Sequence, residues 1–205
     1  MICKKDANGA AKVLEALKKN QIVIIPTDTV YGFSGLVLEK DIPSDKGTDA
    51  QIRTIKGRAE TKPLIQLIGC PQDIKKYTDD NIPDSLLNKW PGALTIIVNT
   101  KKTHPLYKRY PTIAFRCPGD LWLREIIMEA GAPIYSTSVN RSGCPVLETV
   151  PEIVAEFEEE VALIIDDGDK KGALPSTLVA MENGLPKVLR QGALGIKNLE
   201  LRIKN

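Results

Sequence analysis

The run 22–35, IVIIPTDTVYGFSG, constrains this chain more than any other stretch. Ile22, Val23, Ile24 and Ile25 make a short apolar block, all β-branched, with the length of a buried strand. Pro26 closes it, because proline has no N–H to give to a ladder. Thr27, Asp28, Thr29, Tyr31, Gly32, Ser34 and Gly35 follow, a crowd of hydroxyls and polar tips. Such a segment is either a polar turn that closes a strand or a strand emptying into a ligand site, the place where α/β proteins bind small molecules. Further segments of the same make-up downstream favour the second reading.

The remaining chain alternates short apolar runs with helical patterns. Residues 7–20 carry Val13, Leu14 and Leu17 on one helical face, and Asn20 is a suitable stop. Helices are also expected over 49–55, 71–77, 82–89, 121–130 and 151–160. Strands are expected over 64–68, 94–98, 112–116, 134–138, 162–165, 177–181 and 187–189. Strands and helices mix without strict alternation, and no repeat is visible. This predicts an α/β fold, one domain over 1–205 with a mixed, twisted sheet. Neither GxGxxG after a strand nor GxxxxGK[ST] is present, so the two commonest nucleotide cradles are missing.

Composition excludes several classes. The 205 residues are 42% hydrophobic and 26% charged, as in ordinary globular proteins, and the net charge is only +2. Anion binding must therefore come from local clustering rather than from a global field. No apolar run approaches the roughly 18–20 residues of a membrane span, and the first residues lead into no signal-peptide core. Cys3, Cys70, Cys117 and Cys144 are scattered without a CxxC pair, which argues against zinc and gives no disulfide framework. A reducing, cytoplasmic setting follows, and the glycosylation pattern Asn140-Arg141-Ser142 is discounted with it.

Polar or cationic groups stand at several strand ends: Thr27 to Tyr31, Lys56 to Lys62, Arg116, Ser136 to Asn140, and later Ser176, Thr177 and Arg190. Arg53, Lys56, Arg58 and Lys62 face Glu60 alone across 53–62, a local anion site suited to phosphates or else a solvated helix end. Arg116 ends an apolar strand and needs an anionic partner, either a protein carboxylate or a ligand carboxylate. Ser136, Thr137, Ser138 and Asn140 alternate across a strand and so point to both faces; core hydroxyls bonded to backbone are the plainer explanation. The single histidine, His104, lies in a basic loop with Lys101, Lys102, Lys108 and Arg109, so no Ser/His/Asp or Cys/His arrangement forms at the strand ends. Nor do carboxylates cluster as a metal cage, although Asp166, Asp167 and Asp169 share a turn. An enzyme built this way works by position and electrostatics, holding anions and neutralising phosphate charge.

Taken together these segments resemble the Sua5/YciO/YrdC family of threonylcarbamoyl-AMP synthases, in its short single-domain form. The motifs are Pro26-Thr27-Asp28-Thr29-Val30-Tyr31-Gly32, Lys56-Gly57-Arg58 with Lys62-Pro63-Leu64, Trp90-Pro91-Gly92 with Leu94-Thr95, Ser138-Val139-Asn140 with Ser142-Gly143, Pro175-Ser176-Thr177, and Leu189-Arg190 with Gly192. The resemblance implies a curved sheet around a deep basic cavity. It also implies joining L-threonine, bicarbonate and ATP into threonylcarbamoyl-adenylate, with release of pyrophosphate. By matching position, Thr29, Arg116, Ser136 and Ser176 would bind threonine. Lys56, Arg58, Lys62, Thr112, Ser138, Asn140 and Arg190 would hold ATP, with Lys56 and Arg58 the catalytic cations. Mg²⁺ would be held mainly by the nucleotide, with no metal site of the protein's own. The product would pass to a tRNA threonylcarbamoyl transferase complex.

The chain departs from the family pattern at Ala59, where proline is usual, at Phe33, where many members have leucine, and at Leu67, where some carry histidine. Two other functions share the fold: a module for double-stranded RNA or tRNA, and a regulatory protein that binds ATP without chemistry. A charge of +2 disfavours strong nonspecific RNA binding unless a patch such as the 101–109 loop focuses it.

Overall fold

A computed structural model describes residues 1–38, 47–57, 64–108, 110–182 and 185–195. Its elements are β1 (Ile2–Lys4), α1 (Ala7–Lys18), β2 (Val23–Ile25), β3 (Gly32–Leu36), α2 (Thr48–Lys56), β4 (Ile65–Leu67), α3 (Asp84–Leu87), β5 (Leu94–Asn99), β6 (Thr112–Arg116), α4 (Leu121–Ala130), β7 (Ile134–Ser138), α5 (Val150–Phe157), β8 (Leu163–Asp166), β9 (Thr177–Glu182) and β10 (Leu185–Arg190), with short 3-10 turns at Pro71–Lys76 and Pro105–Lys108. The ten strands form one sheet in the order β1-β8-β2-β3-β7-β4-β6-β5-β9-β10. Parallel pairs (β1/β8, β2/β8, β4/β6, β5/β9) are mixed with antiparallel ones, so the expected mixed α/β sheet is observed.

Local chemistry sets the helix ends. Asp6 caps α1 by accepting from the Gly9 N–H at 2.8 Å, and Asn20 leaves the helix with a φ of 57°. Asp120 caps α4 on the Leu123 N–H. Gly57 ends α2 at φ 62°, a left-handed conformation that a β-carbon disfavours, and this makes Lys56 the last helical residue. In α5 the Thr149 hydroxyl and the Glu152 carboxylate form a reciprocal capping box.

Two strands depart from the sequence expectation. β3 runs through what reads as a polar turn, because two glycines and a serine carry little strand propensity. Close packing explains the glycines. A β-carbon on Gly35 would lie 2.7 Å from Thr48 Cβ, and one on Gly32 2.8 Å from Ser136 Oγ. β1 forms because β8 offers it a parallel partner, a tertiary cause that no three-residue window records. The helix expected over 82–89 shrinks to the single turn of α3.

The pleat divides the sheet into two faces. One buries Ile24, Phe33, Tyr135, Phe115, Ile113, Ile96 and Val179 with Ile52 and Ile55 of α2 and Ile153 and Phe157 of α5. The other buries Val23, Ile25, Leu36, Ile134, Leu67, Leu163 and Ile165 beneath α1 and α4. Past those two helices, the same face changes character. Register places Gly32 and Ser34 of β3, Ser136 and Ser138 of β7, Thr112, Ala114 and Arg116 of β6, and Thr95 of β5 on it. These are small or hydroxyl-bearing residues, and Ser136, Ser138 and Thr112 reach solvent.

Candidate functional site

Four of the residues singled out by sequence, Thr112, Arg116, Ser136 and Ser138, therefore share one partly open face of the sheet. The segment 26–31 runs out of β2 and folds across the end of β6. Arg116 is only 5% exposed, and the partner it needs comes from the protein. Its guanidinium donates from NH2 to Asp28 Oδ1 at 2.5 Å, from NH1 to Thr29 Oγ1 at 2.8 Å, and from Nε to the Gly92 carbonyl at 3.0 Å. Thr27 braces the loop, its Oγ1 2.9 Å from Thr29 Oγ1 and donating to the Val30 carbonyl. Tyr31 anchors the far end, donating to the Gly168 carbonyl and accepting from the Asp167 N–H. Burial pushes the Tyr31 phenol up to about 12, so it remains a neutral donor.

A second group sits where β5, β9 and β10 meet. Ser176 Oγ lies 2.7 Å from Thr95 Oγ1, both residues buried. Arg190 NH2 donates to the Ser176 carbonyl at 2.9 Å. The Trp90-Pro91-Gly92 turn links this group to Arg116. Gly92 N–H donates to Cys117 O, Gly92 O receives Arg116 Nε, and Thr177 N–H donates to Ala93 O.

A third group follows β7. Lys56 Nζ, buried at 4% exposure, donates to the Ser138 carbonyl (2.5 Å), the Asn140 carbonyl (3.0 Å) and Asn140 Oδ1 (2.9 Å), and it lies 5.3 Å from the Phe33 ring centroid. Ser138 Oγ donates to the same Asn140 oxygen at 2.8 Å. Arg141 fixes the turn from outside, donating to the Ile55 carbonyl and pairing with Glu156 and Glu160. Val139 N–H donates to the Tyr31 carbonyl, which joins this turn to the 26–31 loop.

The structure thus brings together Thr29 with Arg116, Ser176 with Arg190, and Lys56 with Ser138 and Asn140, and joins the three groups through 26–31 and 92–94. Thr112 stands at the opposite end of β6 from Arg116. Arg58 and Lys62 lie outside the described residues. Lys56, expected at a phosphate, spends three donors on the turn after β7. Sequence reasoning missed Asp28 and Thr95 as site members. The signal for Asp28 was present: a carboxylate beside Thr29, and a strand-end arginine in need of one.

Burial pushes the Cys117 thiol, next to Arg116, up to about 12, so it is not a thiolate at neutral pH. Asp166 and Asp167 pair with Lys4, Lys5 and Lys170. Among the described residues, no three His, Cys, Asp or Glu side chains gather to hold a metal ion, and no helix is long and apolar enough to cross a membrane. In the basic loop, Lys101 pairs with Asp79 and donates to the Lys75 carbonyl.

Comparison with known proteins gives the chain its family. The family model Sua5_yciO_yrdC, described as "Telomere recombination", matches residues 15–192. A Methanocaldococcus jannaschii protein is 34% identical over 195 residues, covering 92% of this chain and 89% of its own. The threonylcarbamoyl-AMP synthase of Bacillus subtilis is 30% identical over 93% of this chain, which spans 55% of that longer protein. The structure of Pyrococcus abyssi Sua5 complexed with L-threonine superposes with a TM-score of 0.78 at 27% identity, over 90% of this chain and 54% of that one. Escherichia coli YciO superposes with 0.76 at 25% identity, over 92% and 91%. By the extent of that family match, this chain belongs to the Sua5/YciO/YrdC family.

Proposed function

We propose that this protein is a threonylcarbamoyl-AMP synthase, a nucleotidyltransferase that makes threonylcarbamoyl-adenylate and pyrophosphate from L-threonine, bicarbonate and ATP. The observation that carries the reading is Arg116, held by Asp28, Thr29 and Gly92 at the edge of a partly open, hydroxyl-bearing sheet face. A guanidinium has five N–H donors, and these contacts use three, leaving two for the carboxylate of an amino acid. Thr29, Ser136 and the Ser176–Thr95 pair supply short polar contacts suited to the rest of threonine.

The chemistry asks for no protein nucleophile. Once its ammonium has given a proton to solvent, threonine's free amine and bicarbonate give a carbamate with loss of water. A carbamate oxygen then attacks the α-phosphorus of ATP, and pyrophosphate leaves. The chain's work is to hold two anions in line and to offset the charge that develops on phosphate. Ser138, Asn140, Thr112 and Arg190 are assigned to ATP, with Arg58 and Lys62. Lys56 contributes by holding the 138–140 turn in shape and by bringing a positive charge to it. Mg²⁺ is assigned to the nucleotide, whose phosphates would hold it. The adenylate would be consumed by a tRNA-modifying transferase in the cytoplasm.

Pyrophosphate release from ATP, with threonine and bicarbonate omitted in turn, tests the reading. Release is expected to need both. Release that persists unchanged without threonine overturns it in favour of an ATPase or a binding protein.

A further inference from the structure

We infer that Asp28 and Arg116 read the amino acid as a zwitterion: Arg116 takes the α-carboxylate, and the second carboxylate oxygen of Asp28 takes the α-amino group. This rests on the threonine-using reading above and names a specificity residue for that site.

The pair is built unevenly. Asp28 Oδ1 meets Arg116 NH2 at 2.5 Å, while Oδ2 has no hydrogen-bond donor among the described residues. The Arg116 side chain is 6% exposed and that of Asp28 21%, so Arg116 is enclosed and Asp28 opens toward solvent. Gly119 packs closely against Oδ2, so that a β-carbon there would stand 2.9 Å away and crowd it. Other carboxylates nearby are arranged differently: Asp120, Asp166 and Asp167 are each matched by lysines.

Charge decides what such a site accepts. A lone guanidinium attracts any carboxylate but repels the ammonium carried one bond further on. A carboxylate fixed beside it reverses that repulsion. The site is then neutral overall, negative at Asp28 and positive at Arg116, and complements a ligand whose two charges are a few ångströms apart. A simple carboxylate finds Arg116 partly neutralised and meets Asp28 as a like charge. The pair therefore favours amino acids over their deaminated analogues.

The probes are L-threonine and 3-hydroxybutyrate, which is threonine without its amine, with calorimetry on wild-type protein and on Asp28→Asn. Asparagine keeps an oxygen for Arg116 but removes the charge. In the wild type, threonine is expected to bind about tenfold or more tightly than 3-hydroxybutyrate. Asp28→Asn is expected to lose that margin, weakening threonine while leaving 3-hydroxybutyrate unchanged or tighter. In turnover, KM for threonine rises and KM for ATP does not. Equal losses for both ligands would assign Asp28 to orienting Arg116 alone and overturn the inference, as would unchanged threonine affinity. Equal affinity of the two ligands for the wild type overturns it without recourse to any variant. A wild type that binds no threonine at all overturns instead the functional reading on which this stands.

Discussion

Arg116 serves scaffold and site together, and its variants separate the two roles. Arg116→Ala strands the Thr29 hydroxyl and the Gly92 carbonyl, both buried or partly so, and leaves Asp28 to water. A loss of about 2–3 kcal/mol is expected, which lowers the melting temperature by about 4–12 °C in a chain of this size. Arg116→Lys keeps the charge but reaches fewer of the three acceptors and loses the planar two-point grip on a carboxylate. It should recover part of the stability and little of the threonine affinity. Thermal melts with and without threonine check both statements. Full threonine-induced stabilisation in Arg116→Ala would place the substrate elsewhere.

At the scale of elements, the junction of β9 and β10 positions Ser176. Gly192 N–H donates to Thr177 Oγ1 at 2.9 Å, Ala193 N–H donates to the Pro175 carbonyl, and Arg190 donates to the Ser176 carbonyl. A β-carbon on Gly192 would fall 2.1 Å from the Pro175 oxygen and 2.6 Å from the Ser176 carbonyl carbon, both backbone atoms that cannot rotate aside. Gly192→Ala must therefore displace 175–176. The clash is with backbone beside buried Ser176 and Thr177, so stability falls as well, and a shift approaching an ångström at the site costs about a hundredfold in rate. Steady-state kinetics beside a melt would show kcat/KM and the melting temperature falling together. The α5 cap behaves differently. Thr149→Ala removes the capping box for about 1 kcal/mol and is expected to leave threonine KM unchanged.

For the whole molecule, ligand binding and acid report on different ends of the sheet. Threonine at about 100 times its Kd adds about 2.7 kcal/mol and raises the melting temperature by about 5–10 °C. At the other end, the Lys4 hydrogen bond, and then the Gly168 N–H, hold the Asp166 carboxyl below its ordinary value. A carboxyl depressed in the folded state stabilises above its unfolded pKa, near 4. That stability is lost as pH falls through the folded value. Asp166→Asn should flatten this acid limb without changing threonine-induced stabilisation, a comparison that melts between pH 6 and 3 decide.

How much of this the sequence determined follows from the range of the interactions. Ile22 to Ile25, the 134–138 run, and the helices over 7–20 and 121–130 are legible because periodicity acts within a few residues. Arg116 is legible as a cation at a strand end that requires an anion, and Ser136 and Ser138 as same-face hydroxyls. Which anion, and which face, depended on pairing. β3 formed from a glycine-rich segment because β2 and β7 flank it, and its glycines are required by Thr48 and Ser136, distant in the chain. Asp28 reached Arg116 across 88 residues, and Lys56 turned to the carbonyls of Ser138 and Asn140 across 82 and 84. A sequence states which groups will need partners, since the cost of burying them unpaired is a property of each residue. Only the closed sheet decides which partners arrive, because that depends on register between strands remote in the chain.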